Sequence, residues 1–498
     1  MTDAYTKLME RVKDIGRLSC VEQLLDWDQQ VYMPSGGANA RAELSALIAG
    51  MAHEKLVADE TGTLLGDVQT VEGDFVVETN MRETRRAFER ASKVPTELVK
   101  EIAYTSALTK EAWAKAREES DFGKFAPHLE KLLDLKKQVA EHIGYETEAY
   151  DALMDEFEPG AEAAEIENVF SNLRSATVAL LERLGSSTTK PDRSILTRHF
   201  PRAQQEVLSR RMSESLGFDY KSGRIDVTVH PFCTTIGGPS DIRITTRYME
   251  NFLSGALFGT LHETGHALYE QGLPAEHLFT PMGQYVSLGI HESQSRMWEN
   301  LVGRSRPFWQ CHWEQVKAMF PEALGDVSLD EFYGAINAVR PSFIRVEADE
   351  LTYNMHIILR FEIERALFTG ELAVVDIPAA WNDKMQELLG VTPPNDREGC
   401  LQDIHWSMGI FGYFPTYALG NLYAAQFFAK AKEDIPDLFE RIAGNDHTPL
   451  LDWLRANIHQ HGRRYRANEL VEVVTGKPLS IAPFVDYATE KFSAIYGV

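Results

Sequence analysis

Asn251–His266 reads NFLSGALFGTLHETGH. Its upstream part carries Phe252, Leu253, Ala256, Leu257 and Leu261, an apolar pattern that predicts a buried helix. Its end, His262-Glu263-Thr264-Gly265-His266, is an H-E-x-x-H pentapeptide. Residues four apart share one helix face, so both imidazoles can reach a single ion at about 2.0–2.1 Å. Glu263 then lies beside that ion, where a carboxylate can take a proton from water. With 15 histidines and 74 acidic residues in 498, chance supplies below roughly 0.07 such patterns in the chain.

A zinc-type catalytic site needs a third protein ligand and an open position. His291-Glu292-Ser293-Gln294-Ser295 begins a second amphipathic run that continues through Met297, Trp298, Leu301 and Val302. The spacing lets the chain leave the first helix, cross a loop containing Gly272, Pro274, Pro281 and Gly283, and return antiparallel. Glu292 is the third ligand on this reading and His291 its rival. Adjacent helix residues point about 100° apart, so one of the two faces the ion.

Just upstream, Arg224–His230 (RIDVTVH) and Asp241–Tyr248 (DIRITTRY) alternate β-branched and polar residues around Gly237, Gly238 and Pro239. This predicts a hairpin or small sheet at about 224–248. Elsewhere helical periodicity dominates. Ile166, Phe170, Leu173, Thr177, Leu180 and Leu184 lay one apolar stripe along 161–185. Similar patterns run through 6–26, 99–117, 130–143, 204–216, 329–340, 347–368 and 449–465, separated by Pro- and Gly-containing breaks. Strand–helix alternation is missing, which argues against a doubly wound sheet or barrel. The fold is expected to be mainly α with a small β element, in a single domain over residues 1–498 whose metal site lies within 262–292.

Hydrophobic residues are 44% and charged residues 25%, the usage of a globular protein rather than a disordered or fibrous one. No stretch approaches the ~18 consecutive apolar residues of a membrane span. Asp3, Lys7, Glu10, Arg11 and Lys13 interrupt the start, unlike a secretory signal, so the expected location is cytoplasmic. Cys20, Cys233, Cys311 and Cys400 lie far apart and read as reduced, structural thiols. A net charge of -24 repels phosphate backbones and anionic lipid, which excludes nucleic acid and membrane surfaces as partners. An anionic substrate would need a focused local cation.

DIRIT (Asp241–Thr245), HETGH (His262–His266), HESQS (His291–Ser295), IRVEAD (Ile344–Asp349) and GCLQDIHW (Gly399–Trp406) stand in an order that resembles the carboxypeptidase Taq family of thermostable metallocarboxypeptidases, of the HEXXH gluzincin type. WDQQVYMPSGGANARAE (Trp27–Glu43) and FGYFPTYALGN (Phe411–Asn421) extend the resemblance over nearly the whole chain. It implies a large helical, homodimeric metallopeptidase with a deep active-site groove. It also implies one divalent ion per chain and removal of single C-terminal residues from peptides. Zinc is the first expectation for a His₂Glu set, with cobalt able to occupy the same ligands.

On this resemblance the ion held by His262, His266 and Glu292 polarises a water and the scissile carbonyl, while Glu263 takes the proton and passes it to the leaving amine. Donors for the oxyanion are sought in His405 and in Tyr417, with Tyr413 second and otherwise in contact with substrate. Gln402 and Asp403 either orient His405 or a ligand, or, for Asp403, cap a helix. Arg345 is the candidate clamp for the substrate's terminal carboxylate, because guanidinium binds carboxylate through two parallel bonds. Its alternative is an intrachain pair with Glu347, Asp349 or another acid. Arg243 is a second candidate, although Asp241 makes a structural pair the better reading, and His230 stays outside the catalytic set. Competing functions are an oligoendopeptidase or dipeptidyl carboxypeptidase with the same metal and base, and a catalytically silent peptide-binding protein.

Overall fold

Ile166, Phe170, Leu173, Thr177, Leu180 and Leu184 are buried along one face of the helix Ala163–Gly185. The 4-3-4-3 spacing is thus a core-facing stripe, each large apolar side chain contributing about 1.5–3 kcal/mol on burial. The computed structural model describes residues 3–68 and 73–498, and among them helices dominate, with one three-stranded sheet. No described helix is long and apolar enough to cross a membrane.

Three helical expectations are shortened for local reasons. The pattern at 329–340 stops at Ile336, ahead of Pro341, which disfavours helical backbone at the residue before it. The pattern at 347–368 becomes helix only at Tyr353. Asp349 accepts hydrogen bonds there from the Leu351 and Thr352 N–H groups at 3.1 and 3.0 Å and holds a turn. The pattern at 449–465 is a helix over Thr448–Asn457 followed by a single tight turn at His459–His461.

The β element departs from a simple hairpin. β1 (Gly223–Val227) and β3 (Ile242–Thr246) run parallel, with Ile225 opposite Ile244. Parallel neighbours require a long connection, and residues 228–241 supply it. Within that connection β2 (Cys233–Thr235) pairs antiparallel to β3, giving the order β1-β3-β2. The turn chemistry of Gly237, Gly238 and Pro239 therefore joins β2 to β3, not the first predicted strand to the second. β2 was illegible because three residues carry no measurable period.

The chain forms two compact units, each assembled from three separate stretches. The first comprises Met1–Ala91, Pro191–Ile336 and Tyr423–Leu479, and the second Ser92–Lys190, Asn337–Leu422 and Ser480–Val498. In the first, the helix Leu253–Gly272 carries HETGH and packs on β3. Thr260 on this helix donates to Ser209 Oγ at 3.0 Å and lies 3.3 Å from Thr246 Oγ1, so its hydroxyl, cut off from water, is satisfied inside the core.

Candidate active site

Leu253, Ala256, Leu257 and Leu261 are all buried, as the apolar run requires, whereas His262 and His266 are half-buried on the other face of the same helix. The second helix starts earlier than its amphipathic run suggests. Ser287 caps it by accepting from the Ile290 N–H at 3.1 Å, and it spans Leu288–Arg296. Glu292 consequently lies inside the helix and is 5% exposed, no solvated terminal carboxylate.

The two helices run antiparallel, because successive contacts along one go backwards along the other. His262 meets Glu299, then Gly265 meets Gln294 and Ser295, then His266 and Glu270 meet His291. Gly265 is the closest approach: a Cβ there would lie 2.6 Å from both Gln294 O and Ser295 Cα. The backbones can approach so closely only because that position lacks a side chain.

His262, His266 and Glu292 each present a ligand atom, all within 4.8 Å of one another. Glu292 Oε2 stands 3.6 Å from His262 Nε2 and 3.4 Å from His266 Nε2. Ligands about 2.0–2.1 Å from a tetrahedral ion lie about 3.4 Å apart, so the donor set and its spacing fit a divalent metal. Each donor is oriented from behind. His262 Nδ1 is 3.0 Å from Glu299 Oε2, His266 Nδ1 is 2.6 Å from His291 Nδ1, and Glu292 Oε1 accepts from Arg296 Nε at 2.7 Å.

Burial drives His266 down to about 3, keeping it in the neutral form a ligand needs. The same burial acts on His262, but Glu292 and Glu299 outweigh it and move that imidazole upward. Burial pushes Glu263 up to about 7, with Glu292 and Glu299 adding to the effect and His262 opposing it.

The remaining candidates gather in the second unit. Arg345 is buried and gives Nε and Nη2 to Asp403 Oδ1 at 3.1 and 2.7 Å, and Nη1 to the Tyr353 hydroxyl at 2.8 Å. Asp403 also accepts from Arg360 Nε at 2.7 Å, so one carboxylate serves two guanidiniums. These two cations hold Asp403 well below the usual carboxylate range against the effect of burial. Asp403 is thus an ion-pair partner rather than a helix cap, and the acid that engages Arg345 is neither Glu347 nor Asp349. Gln402 accepts from the Arg345 N–H at 2.8 Å and donates to Phe343 O at 2.9 Å, tying IRVEAD to GCLQDIHW.

Tyr417 lies 5.0 Å from the Arg345 guanidinium, and the rings of Tyr413 and Tyr417 lie 5.4 and 6.4 Å from that of His405. Burial pushes His405 down to about 4, with Arg345 and Arg360 adding to the effect. Arg243 pairs with Asp241 through two bonds of 2.9 Å and stacks on Trp27 at 4.2 Å, while His230 is exposed beyond β1.

The profile of the carboxypeptidase Taq (M32) metallopeptidase family matches residues 7–492. The chain belongs to that family. It is 45% identical to thermostable carboxypeptidase 1 of Thermus thermophilus over 99% of both chains, and 38% identical to carboxypeptidase 1 of Bacillus subtilis over 98% of both. Among solved structures it is similar to the M32 carboxypeptidase of Deinococcus radiodurans R1, with a TM-score of 0.97, 40% identity and full coverage of both chains. As an M32 metallopeptidase the chain is a metal-dependent carboxypeptidase, and the endopeptidase and silent-binder readings fall away.

Sequence reasoning missed several groups that support the candidate ligands. Glu270 was open to it, since His262, His266 and Glu270 repeat every four residues on one helix face. Glu299 was not. It sits on a π-helical turn, Met297–Val302, and a π turn changes the residue phase on which a helical-face argument depends. Arg360 was equally hidden, its meeting with Asp403 being a purely tertiary event.

Proposed function

We propose that the chain releases single residues from the free C-terminus of peptides, using one divalent ion, zinc before cobalt, held by His262, His266 and Glu292. The observation that carries this reading is the cluster of three donors, with Glu292 at tetrahedral-edge spacing from both histidines and the buried Glu263 next to His262 in the chain. The ion, when bound, supplies Lewis acidity toward the scissile carbonyl and a water. Glu263 takes the water's proton and returns it to the leaving amine, a double task suited to a carboxyl raised to about 7. His405, kept neutral by burial, serves as a donor to the developing oxyanion together with the Tyr417 phenol, and Tyr413 contacts the substrate.

Arg345 reads the terminal carboxylate in this proposal. Arg345 and Arg360 share Asp403, which leaves one positive charge in excess, and Asp403 and Tyr353 do not use every N–H of Arg345. The whole chain acts as one functional domain, in keeping with a family profile that spans 7–492 without a break. A homodimer is carried over from the family resemblance, and sedimentation of the purified protein tests it. A cytoplasmic location accords with four unpaired cysteines.

Matched peptides ending in a free acid or an amide test the function. A charge-assisted bond contributes roughly 1.5–3 kcal/mol, so the acid should be preferred about tenfold to a hundredfold in kcat/KM. Arg345→Lys keeps a charge against Asp403 but loses the fork, and should shrink that preference by slowing the acid alone. Equal rates for acid and amide on the unsubstituted enzyme would remove the exopeptidase reading.

A further inference from the structure

His266 turns its second nitrogen away from the ligand triangle, and what it meets there is another imidazole. His266 Nδ1 lies 2.6 Å from His291 Nδ1, and His291 Nε2 lies 2.7 Å from Glu270 Oε1. A carboxylate can only accept, so His291 Nε2 donates to Glu270. If His291 gave a second N–H from Nδ1, His266 would hold its own proton on Nε2 and could not bind an ion there, so metal binding requires His291 Nδ1 as the acceptor. His266 Nδ1 must then be the donor to it. Its lone pair is thereby placed on Nε2, the atom 3.4 Å from Glu292 Oε2. Every donor and acceptor in the series is satisfied in this one direction.

The surroundings keep the series in place. The His291 and Glu270 side chains are 13% and 9% exposed, so little water competes for their hydrogen bonds. The His291 ring stands edge-on between Tyr269 at 5.2 Å and Tyr285 at 4.9 Å. Tyr269 is held in turn because its hydroxyl accepts from the Val286 N–H at 3.2 Å, and Arg463 lies 5.3 Å over the Tyr285 ring. His262 needs no such intermediary, since its Nδ1 meets Glu299 directly at 3.0 Å.

We propose that Glu270 and His291 form a positioning relay that sets His266 in its metal-binding tautomer, an inference that rests on the metal site proposed above. The neighbours His291 and Glu292 then divide the work, Glu292 facing the ion and His291 bracing a ligand from behind. Partners of this kind typically alter metal affinity by about tenfold to a hundredfold.

Two measurements test the relay. In the apo enzyme labelled with ¹⁵N-histidine, long-range proton–nitrogen correlations should show the His266 proton on Nδ1, and a proton on Nε2 would overturn the proposal. Zinc titration of apo enzyme against a chromophoric chelator supplies the second. His291→Phe fills the ring's space without an acceptor and should weaken zinc binding about tenfold to a hundredfold. His291→Asn, whose carbonyl stands near the lost Nδ1, should recover most of that affinity. Wild-type affinity in His291→Phe, or an Asn variant no better than the Phe variant, would sink the relay. If His291→Phe does not fold, the apo-state tautomer and the Asn variant still decide. Wild-type enzyme that binds no zinc, or Glu292→Ala that binds it undiminished, would instead overturn the metal site itself.

Discussion

Glu263 differs from Glu292 by environment more than by chemistry. Arg296 reaches Glu292 at 2.7 Å and, with His262, holds it well below the ordinary carboxylate range despite burial. Glu263 gains less compensation, and burial carries it up to about 7. Two buried carboxylates of one candidate site are thereby pushed in opposite directions, as the proposed ligand and the proposed base require. Glu263→Gln should therefore retain its fold and one equivalent of metal while losing about 10²–10⁴ in kcat, the usual contribution of a general base. Metal analysis and turnover on the same preparation check this, and near-normal turnover in a metal-loaded variant would remove the role. The grouping of His262 with His266 was legible from spacing because residues four apart share a helix face, and Glu292 joins them through the return of a second helix. The Arg345 pair with Asp403 was not, since nothing local to either segment encodes the other.

Two glycines of the HETGH helix separate packing from propensity. A Cβ on Gly259 meets nothing within 4 Å, so Gly259→Ala should stabilise by about 0.5–1 kcal/mol through the better helix former. At Gly265 the same methyl meets backbone of the Glu292 helix at 2.6 Å, and backbone cannot rotate aside. Overpacking costs about 1–3 kcal/mol, which outweighs the propensity gain. Gly265→Ala should lower Tm and, by forcing the helices apart, weaken zinc binding, whereas Gly259→Ala should do neither. Paired thermal melts and zinc titrations distinguish them, and a Gly265→Ala protein as stable and as tight-binding as its Gly259→Ala counterpart would refute the close approach. The same helix pair shows how far elements can be read ahead of a structure. Its antiparallel return was foreseeable from loop length, but the π turn that delivers Glu299, with Trp298 and Leu301 buried on it, has no period of its own.

Three histidines pushed down by burial each add an acid-sensitive contribution to the stability of the fold. His312 and His447 are 5% and 2% exposed and stack with ring centroids 6.4 Å apart, and burial pushes both down to about 4. His405 is pushed down to about 4 in the same way. In the unfolded chain these groups protonate near pH 6.5, so below that value the unfolded state binds more protons than the native one. The contribution of these histidines is therefore full above about pH 6.5 and falls as the pH drops toward 4, by up to about 1.4 kcal/mol per pH unit for each, while Glu263, raised to about 7, works in the opposite sense. His312→Gln cannot titrate and should flatten the dependence between pH 7 and 5 in urea unfolding, and an unchanged slope would place the acid sensitivity elsewhere. At this scale a helical chain, an H-E-x-x-H pentapeptide and a family signature are readable along the sequence, because apolar periods and i, i+4 pairs are local properties of the chain. Three-dimensional packing alone makes β1 and β3 parallel, weaves each unit from three distant stretches, sets Glu299 behind His262 and Glu270 behind His291, and makes Arg345 share Asp403 with Arg360. Those pairings arise where the chain returns on itself, and the place of return is set by the packing of the whole core rather than by any periodicity along the sequence.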